Sequence, residues 1–137
     1  MKKFLPAVIR QSGVVRQRYS QPVYGSPAIP SLNFENQIWV VEHDGAALDP
    51  YKLLSPLFAE HEVNDALARI EESEGDVVAD GAAAMIAYAS LQNPELVSAQ
   101  REELVSQLKR YCELDTLAMV MVYEALADWL GSDGVIA

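Results

Sequence analysis

The sequence predicts a mainly helical α+β fold of four to five helices, with a proline-rich extended arm and one or two short strands. Six of the seven prolines lie within residues 6–56, whereas apolar residues recur at helical spacing in the rest of the chain. Half of the 137 residues are apolar, which is enough for one domain with a real core. We expect a single domain over residues 1–137, with the arm and strand in 1–48, helices in 49–131 and a tail in 132–137.

The arm is centred on the segment YSQPVYGSPAIPSLNF, in which Gly25 and the prolines at 22, 27 and 30 prevent a long helix. Its apolar side chains are too frequent for a free linker, so we expect the arm to be ordered against the helices. The expected anchors are Tyr19, Tyr24, Ile29, Leu32 and Phe34.

The segment NQIWVVE, followed by HDG at 43–45, predicts one short strand and a turn. A single strand needs a pairing partner, because its backbone groups would otherwise be unsatisfied. That partner is expected either in the N-terminal segment AVIRQSGVV or outside this chain.

The first two helical elements follow the strand. Asp49 and Pro50 are typical of an N-cap and a first helical position, and Pro56 limits this element to a turn or two. The segment HEVNDALARIEE then predicts an amphipathic helix, because its apolar residues recur at spacings of four and three.

The remaining helical segments lie in the C-terminal half of the sequence. DGAAAMIAYASLQ predicts a buried helix with Asp80 as its N-cap. The last segment has Ser98 where an N-cap belongs and Gly131 where a C-terminal cap belongs. It predicts either one long helix, covered on several sides, or two helices joined near Asp115.

Charge is unevenly distributed along the chain. The net charge is −10, yet the first 20 residues carry five basic groups and no acidic one, so the remainder sums to −15. This distribution argues against a nucleic-acid-binding module built on a broad basic face. It is compatible with an enzyme whose carboxylates hold metal ions.

The composition also predicts the cellular setting. The chain has one cysteine, Cys112, which rules out an internal disulfide framework and favours a reducing compartment. No apolar run approaches the roughly 20 residues that cross a bilayer, and the N-terminus does not have the pattern of a signal peptide. We therefore expect a cytoplasmic protein without a membrane partner.

Asp115 is the residue that most needs an explanation, since it lies in a segment that is apolar nearly all round. An ionised carboxylate in such surroundings requires a hydrogen-bond donor, a counter-charge or a cation. Tyr111 precedes it by one helical turn, and such a pair can serve a metal-bound water. The alternative is a structural carboxylate bonded to Thr, Tyr or Arg partners from the segment RQRYS, with no metal.

The segment YCELDTLAM resembles the tyrosine-type third motif of the RNase H-like DEDD 3′–5′ exonucleases. Four further blocks resemble the C-terminal part of an uncharacterised bacterial family whose larger members carry this exonuclease-like domain. These blocks are LPAV, RYSQPVYGSPAIPSLNF, DPYKLLSPLF and ADGAAAMIAYASLQ. The resemblance covers most of residues 4–130 and implies the helical part of an RNase H-like domain.

The resemblance implies Asp115 as a ligand of Mg²⁺ or Mn²⁺ and Tyr111 as the group that orients the attacking water. Asp80 is a candidate for a second metal-binding carboxylate, besides its expected role as an N-cap. The exonuclease class uses four carboxylates, two of them in an Asp-x-Glu on a strand, and this sequence has no strand-borne Asp-x-Glu.

Two functions follow as expectations. The first is a segment of a nuclease-type domain that acts on nucleic acid with a divalent metal, is incomplete and inactive alone, and works with a remaining nuclease domain. The second is a noncatalytic acidic helical interaction or scaffold module. A homodimer is also expected, because the acidic helices and the lone strand leave surfaces to cover.

Overall fold

The protein is mainly helical in the computed structural model, which describes residues 4–54 and 78–132. Two short helices come first, followed by a small hairpin, a 3₁₀ helix and two longer helices. Their bounds are α1 Leu5–Gln11, α2 Gly13–Tyr19, β1 Glu42–His43, β2 Ala46–Ala47, the 3₁₀ helix Pro50–Leu53, α3 Val78–Ser90 and α4 Ser98–Ser132. The predicted mainly helical class is therefore confirmed for the described residues.

The chain divides into two compact units. The first unit comprises Met1–Leu54 together with Cys112–Ala137, and the second comprises Ser55–Tyr111. Helix α4 contributes to both, since its residues up to Tyr111 belong to the second unit and those from Cys112 onward to the first.

The N-terminal segment AVIRQSGVV, expected as a candidate strand, is wrong as a strand because it forms parts of α1 and α2. Leu5, Val8 and Ile9 recur at helical spacing, and all three are buried. Ser12 lies between the two helices and accepts a hydrogen bond from the backbone N–H of Val15, at 3.2 Å, as the N-cap of α2. Burial of these apolar faces outweighs the strand preference of the valines and isoleucine.

The expected strand over NQIWVVE is also wrong in position. The hairpin pairs Glu42 with Ala47 and His43 with Ala46, so the strand partner lies a few residues downstream in the same chain. The predicted turn at 43–45 is confirmed, since Asp44 and Gly45 both have positive φ, at 52° and 78°. Two consecutive residues with positive φ are typical of the two-residue loops that close hairpins.

The residues before the hairpin are held by the end of α2 and by aromatic packing. The backbone N–H groups of Trp39 and Val40 both donate to the carbonyl oxygen of Tyr19, each at 2.9 Å. The fully buried Trp39 ring contacts Phe34 and Tyr24 edge-on, with ring centroids 4.9 and 5.9 Å apart. This irregular backbone is positioned by packing within the first unit.

The short element after the hairpin agrees with its sequence signals. Asp49 is the N-cap of the 3₁₀ helix, and its side chain accepts a hydrogen bond from the backbone N–H of Tyr51 at 3.1 Å. Pro50 occupies the first turn, where its missing N–H costs nothing. Asp49 and Pro50 thus have the predicted roles. The segment HEVNDALARIEE lies outside the described residues.

Helix α3 begins earlier than predicted. Asp80 lies within the helix, two residues after Val78, so its expected role as the N-cap is wrong.

In the second unit, the loop from α3 to α4 is joined to α4 by Arg101, whose guanidinium donates to the carbonyl oxygens of Leu91 and Asn93.

Helix α4 is one uninterrupted helix of 35 residues, which decides against two helices joined near Asp115. Ser98 and Gly131 lie inside it, so neither has its predicted capping position. Its buried face within the first unit consists of Leu114, Leu117, Ala118, Met121 and Ala125. The expectation that apolar side chains are covered on several sides is wrong, because large side chains on the opposite face are exposed.

Within residues 4–54 and 78–132, no helix has both the length and the apolar character that a membrane span requires.

Candidate functional site

Glu113 on α4 binds the proline-rich arm through hydrogen bonds within the first unit. Its carboxylate accepts hydrogen bonds from the Tyr24 hydroxyl, at 2.7 Å, and from the side chains of Ser31 and Asn33. The Ser31 hydroxyl oxygen also accepts from the backbone N–H groups of Asn33 and Phe34, at 3.1 and 3.0 Å. One carboxylate therefore organises three arm side chains, and two of these belong to a tight turn.

The electrostatics of Glu113 follow from this hydrogen bonding. Partial burial by itself would raise the pKa of the carboxyl, but the donors Ser31, Tyr24 and Asn33 outweigh it and leave the pKa of Glu113 below its usual value. Burial, reinforced by the neighbouring Glu113 carboxylate, raises the pKa of Tyr24. Glu113 is thus held ionised and Tyr24 neutral at neutral pH, which is the pairing that this hydrogen bond requires.

A second carboxylate on α4, Glu124, binds the end of α2. Its Oε1 accepts from the Arg18 guanidinium at 2.8 Å. Burial and a hydrogen bond with Glu124 raise the pKa of the Tyr19 hydroxyl. Within the described residues, the buried Oε2 of Glu124 has no hydrogen-bond partner. The segment RQRYS, expected as a source of partners for Asp115, therefore supplies partners for Glu124.

The arm is ordered against α4, as predicted, although its five expected anchors differ in burial. Tyr19 and Tyr24 are buried, Ile29 and Phe34 are partly buried, and Leu32 is fully exposed. Leu32 is therefore wrong as an anchor, and the polar contacts of Ser31 and Asn33 hold this part of the arm.

A cavity of about 460 Å³ lies between the arm and α4 in the first unit. Both carboxylates at its wall, Glu113 and Glu124, already accept hydrogen bonds from the arm or from α2. We attribute the cavity to the irregular path of the arm over the helix. Its lining residues are Arg18, Tyr19, Tyr24, Ala28, Ile29, Pro30, Glu113, Thr116, Leu117, Val120 and Glu124.

Asp115, the principal residue predicted from the sequence, is partly buried and accepts a hydrogen bond from the Tyr51 hydroxyl. Tyr51 lies in the first turn of the 3₁₀ helix that Asp49 caps. This short helix therefore places the Tyr51 hydroxyl against α4. Thr116 hydrogen-bonds back to the carbonyl oxygen of Cys112, at 3.2 Å, and not to Asp115. The carboxylate therefore has a tyrosine partner, but from a part of the chain that the sequence did not indicate.

The other two predicted site residues lie in the second unit. Tyr111 is on α4, four residues before Asp115. Asp80 is the third residue of α3, and the structure describes its backbone but not its side chain. In residues 4–54 and 78–132, no three or more His, Cys, Asp or Glu side chains form a group that could hold a metal ion.

Sequence reasoning missed Tyr51 and Glu113. Tyr51 is 64 positions from Asp115, and Tyr24 is 89 positions from Glu113, so no local pattern relates the partners. The one available signal for Tyr51 was the Asp49 and Pro50 pair, which places the next residue in the first turn of a short helix.

The Asp115→Asn substitution tests what the carboxylate contributes to stability. The amide oxygen can still accept from the Tyr51 hydroxyl, so we expect the free energy of unfolding to change by no more than about 1 kcal/mol. Tyr51→Phe, which deletes the donor, is the control and is expected to cost about 1 kcal/mol. The measurement is the denaturant midpoint at neutral pH with an unchanged m-value.

A fall of about 3 kcal/mol or more in Asp115→Asn would contradict this expectation, because it is the magnitude that accompanies loss of a paired, buried charge.

Comparisons with protein-family models, curated proteins and solved structures find no match to this chain.

Proposed function

We propose that this chain is the C-terminal helical segment of a nuclease-type domain, and that it is inactive by itself. In this proposal Asp115 is one ligand of a divalent metal, Mg²⁺ or Mn²⁺, and Tyr111 orients a water molecule. The uninterrupted course of α4 supports it, because Tyr111 and Asp115 lie one turn apart on a regular helix. The substrate class would be nucleic acid.

The hydrogen bond from Tyr51 to Asp115 carries the proposal. Carboxylates that bind metals are usually hydrogen-bonded themselves, because an outer partner fixes the orientation of the ligand. Tyr51 belongs to DPYKLLSPLF, one of the blocks on which the family resemblance depends. The Tyr51 hydroxyl would fix the orientation of the partly exposed Asp115 carboxylate, as an outer hydrogen-bond partner does for a metal ligand. The other carboxylates that bind the metal would come from elsewhere.

The described residues alone do not fit a metal pair. A two-metal nuclease site needs several convergent carboxylates, and Asp115 is not part of any group of three or more ligand-type side chains in residues 4–54 and 78–132. The proposal therefore requires further carboxylates from outside the described residues, and we propose a remaining nuclease domain as their source. A cytoplasmic location stays a prediction from the single cysteine.

The isolated chain is expected to have no exonuclease activity on single-stranded DNA or RNA with Mn²⁺. A single carboxylate cannot clamp two metal ions across an in-line displacement. The measurement is the length distribution of an end-labelled oligonucleotide over several hours, with Asp115→Asn as the matched control. Metal-dependent trimming that disappears in this variant would show that the chain is a complete enzyme.

The reading frame encoded immediately upstream of Met1 tests the proposal directly. We expect it, or an adjacent frame, to encode a strand that bears Asp-x-Glu. A protein that joins the two parts should trim single-stranded ends with Mn²⁺. Asp115→Asn should lower that rate by at least about 100-fold, since a metal ligand is lost, whereas Glu102→Gln on the exposed surface of α4 should not. Absence of an Asp-x-Glu strand from both frames would overturn the proposal.

The second candidate function is a noncatalytic helical interaction module. It is favoured by the large apolar side chains that α4 exposes, among them Met119, Tyr123 and Leu130. The upstream sequence separates the two functions, because the module needs no additional carboxylates.

A further inference from the structure

We draw no further inference here: the strongest candidate, the cavity between the proline-rich arm and α4 in the first unit, belongs to the site already described, since the carboxylates in its wall, Glu113 and Glu124, already accept hydrogen bonds from the arm and from Arg18.

Discussion

Gly25→Ala is expected to destabilise the first unit by about 4 kcal/mol, the largest effect of any substitution proposed for this protein. Gly25 has a φ of +78°, and a Cβ atom there would lie 2.1 Å from the carbonyl oxygen of Phe34 and 2.6 Å from its carbonyl carbon. These are backbone atoms of the turn that presents Ser31 and Asn33 to Glu113, so the clash cannot be relieved by a side-chain rotation. Denaturant unfolding at neutral pH measures the loss.

Gly45→Ala is the matched control for this prediction. Gly45 has the same φ of +78°, but a Cβ atom there would meet nothing within 4 Å. Its expected cost is only the backbone penalty of a left-handed alanine, about 1 kcal/mol. Equal losses for the two variants would mean that the Phe34 carbonyl lies farther from Gly25 than in this structure.

Glu113→Ala is expected to cost about 3 kcal/mol, because three donors of the arm lose one charged acceptor. Tyr24, Ser31 and Asn33 all donate to this carboxylate, and Tyr24 is buried. The measurement is the free energy of unfolding, together with the rate of proteolysis within residues 20–36. The control is Glu102→Ala, which removes an exposed carboxylate of the same helix and should change stability by no more than about 0.5 kcal/mol.

The contribution of Glu113 also has a defined pH dependence. Its pKa is lower in the folded protein than in the unfolded chain, so the unfolded state binds the proton more readily. The stabilisation is therefore fully present above the unfolded pKa and is lost as the pH falls through the folded pKa. We expect the stability difference between the wild type and Glu113→Ala to shrink on acidification, and a constant difference down to low pH would contradict this assignment.

The local features of the fold could be predicted from the sequence because their causes lie within a few residues. Asp49 and Pro50 start the 3₁₀ helix through a side-chain cap and a preset φ. Asp44 and Gly45 tolerate positive φ and so close a hairpin. Tyr111 and Asp115 could be singled out for the same reason, since a spacing of four places them one turn apart on a helix.

The identity of each partner was decided only by the tertiary structure. Asp115 needed a donor by its chemistry, yet the donor proved to be Tyr51, whereas Arg18 of the expected region binds Glu124. Glu113 has no distinguishing local pattern, although it holds the arm by three side chains. In each case the contact joins positions at least 64 residues apart.

The sequence by itself determined that the C-terminal half is helical, that the chain turns at 43–45 and which carboxylate required a partner, since backbone propensity and desolvation act locally. The tertiary structure decided that the first valine-rich segment is helical and that α4 buries one face while exposing another. Burial depends on which surfaces meet after the chain has folded, and apolar residues at helical spacing have the same pattern whether covered or exposed. Met119, Tyr123, Leu126 and Leu130 were therefore visible in the sequence as apolar residues, but their exposure was decided only in the folded protein.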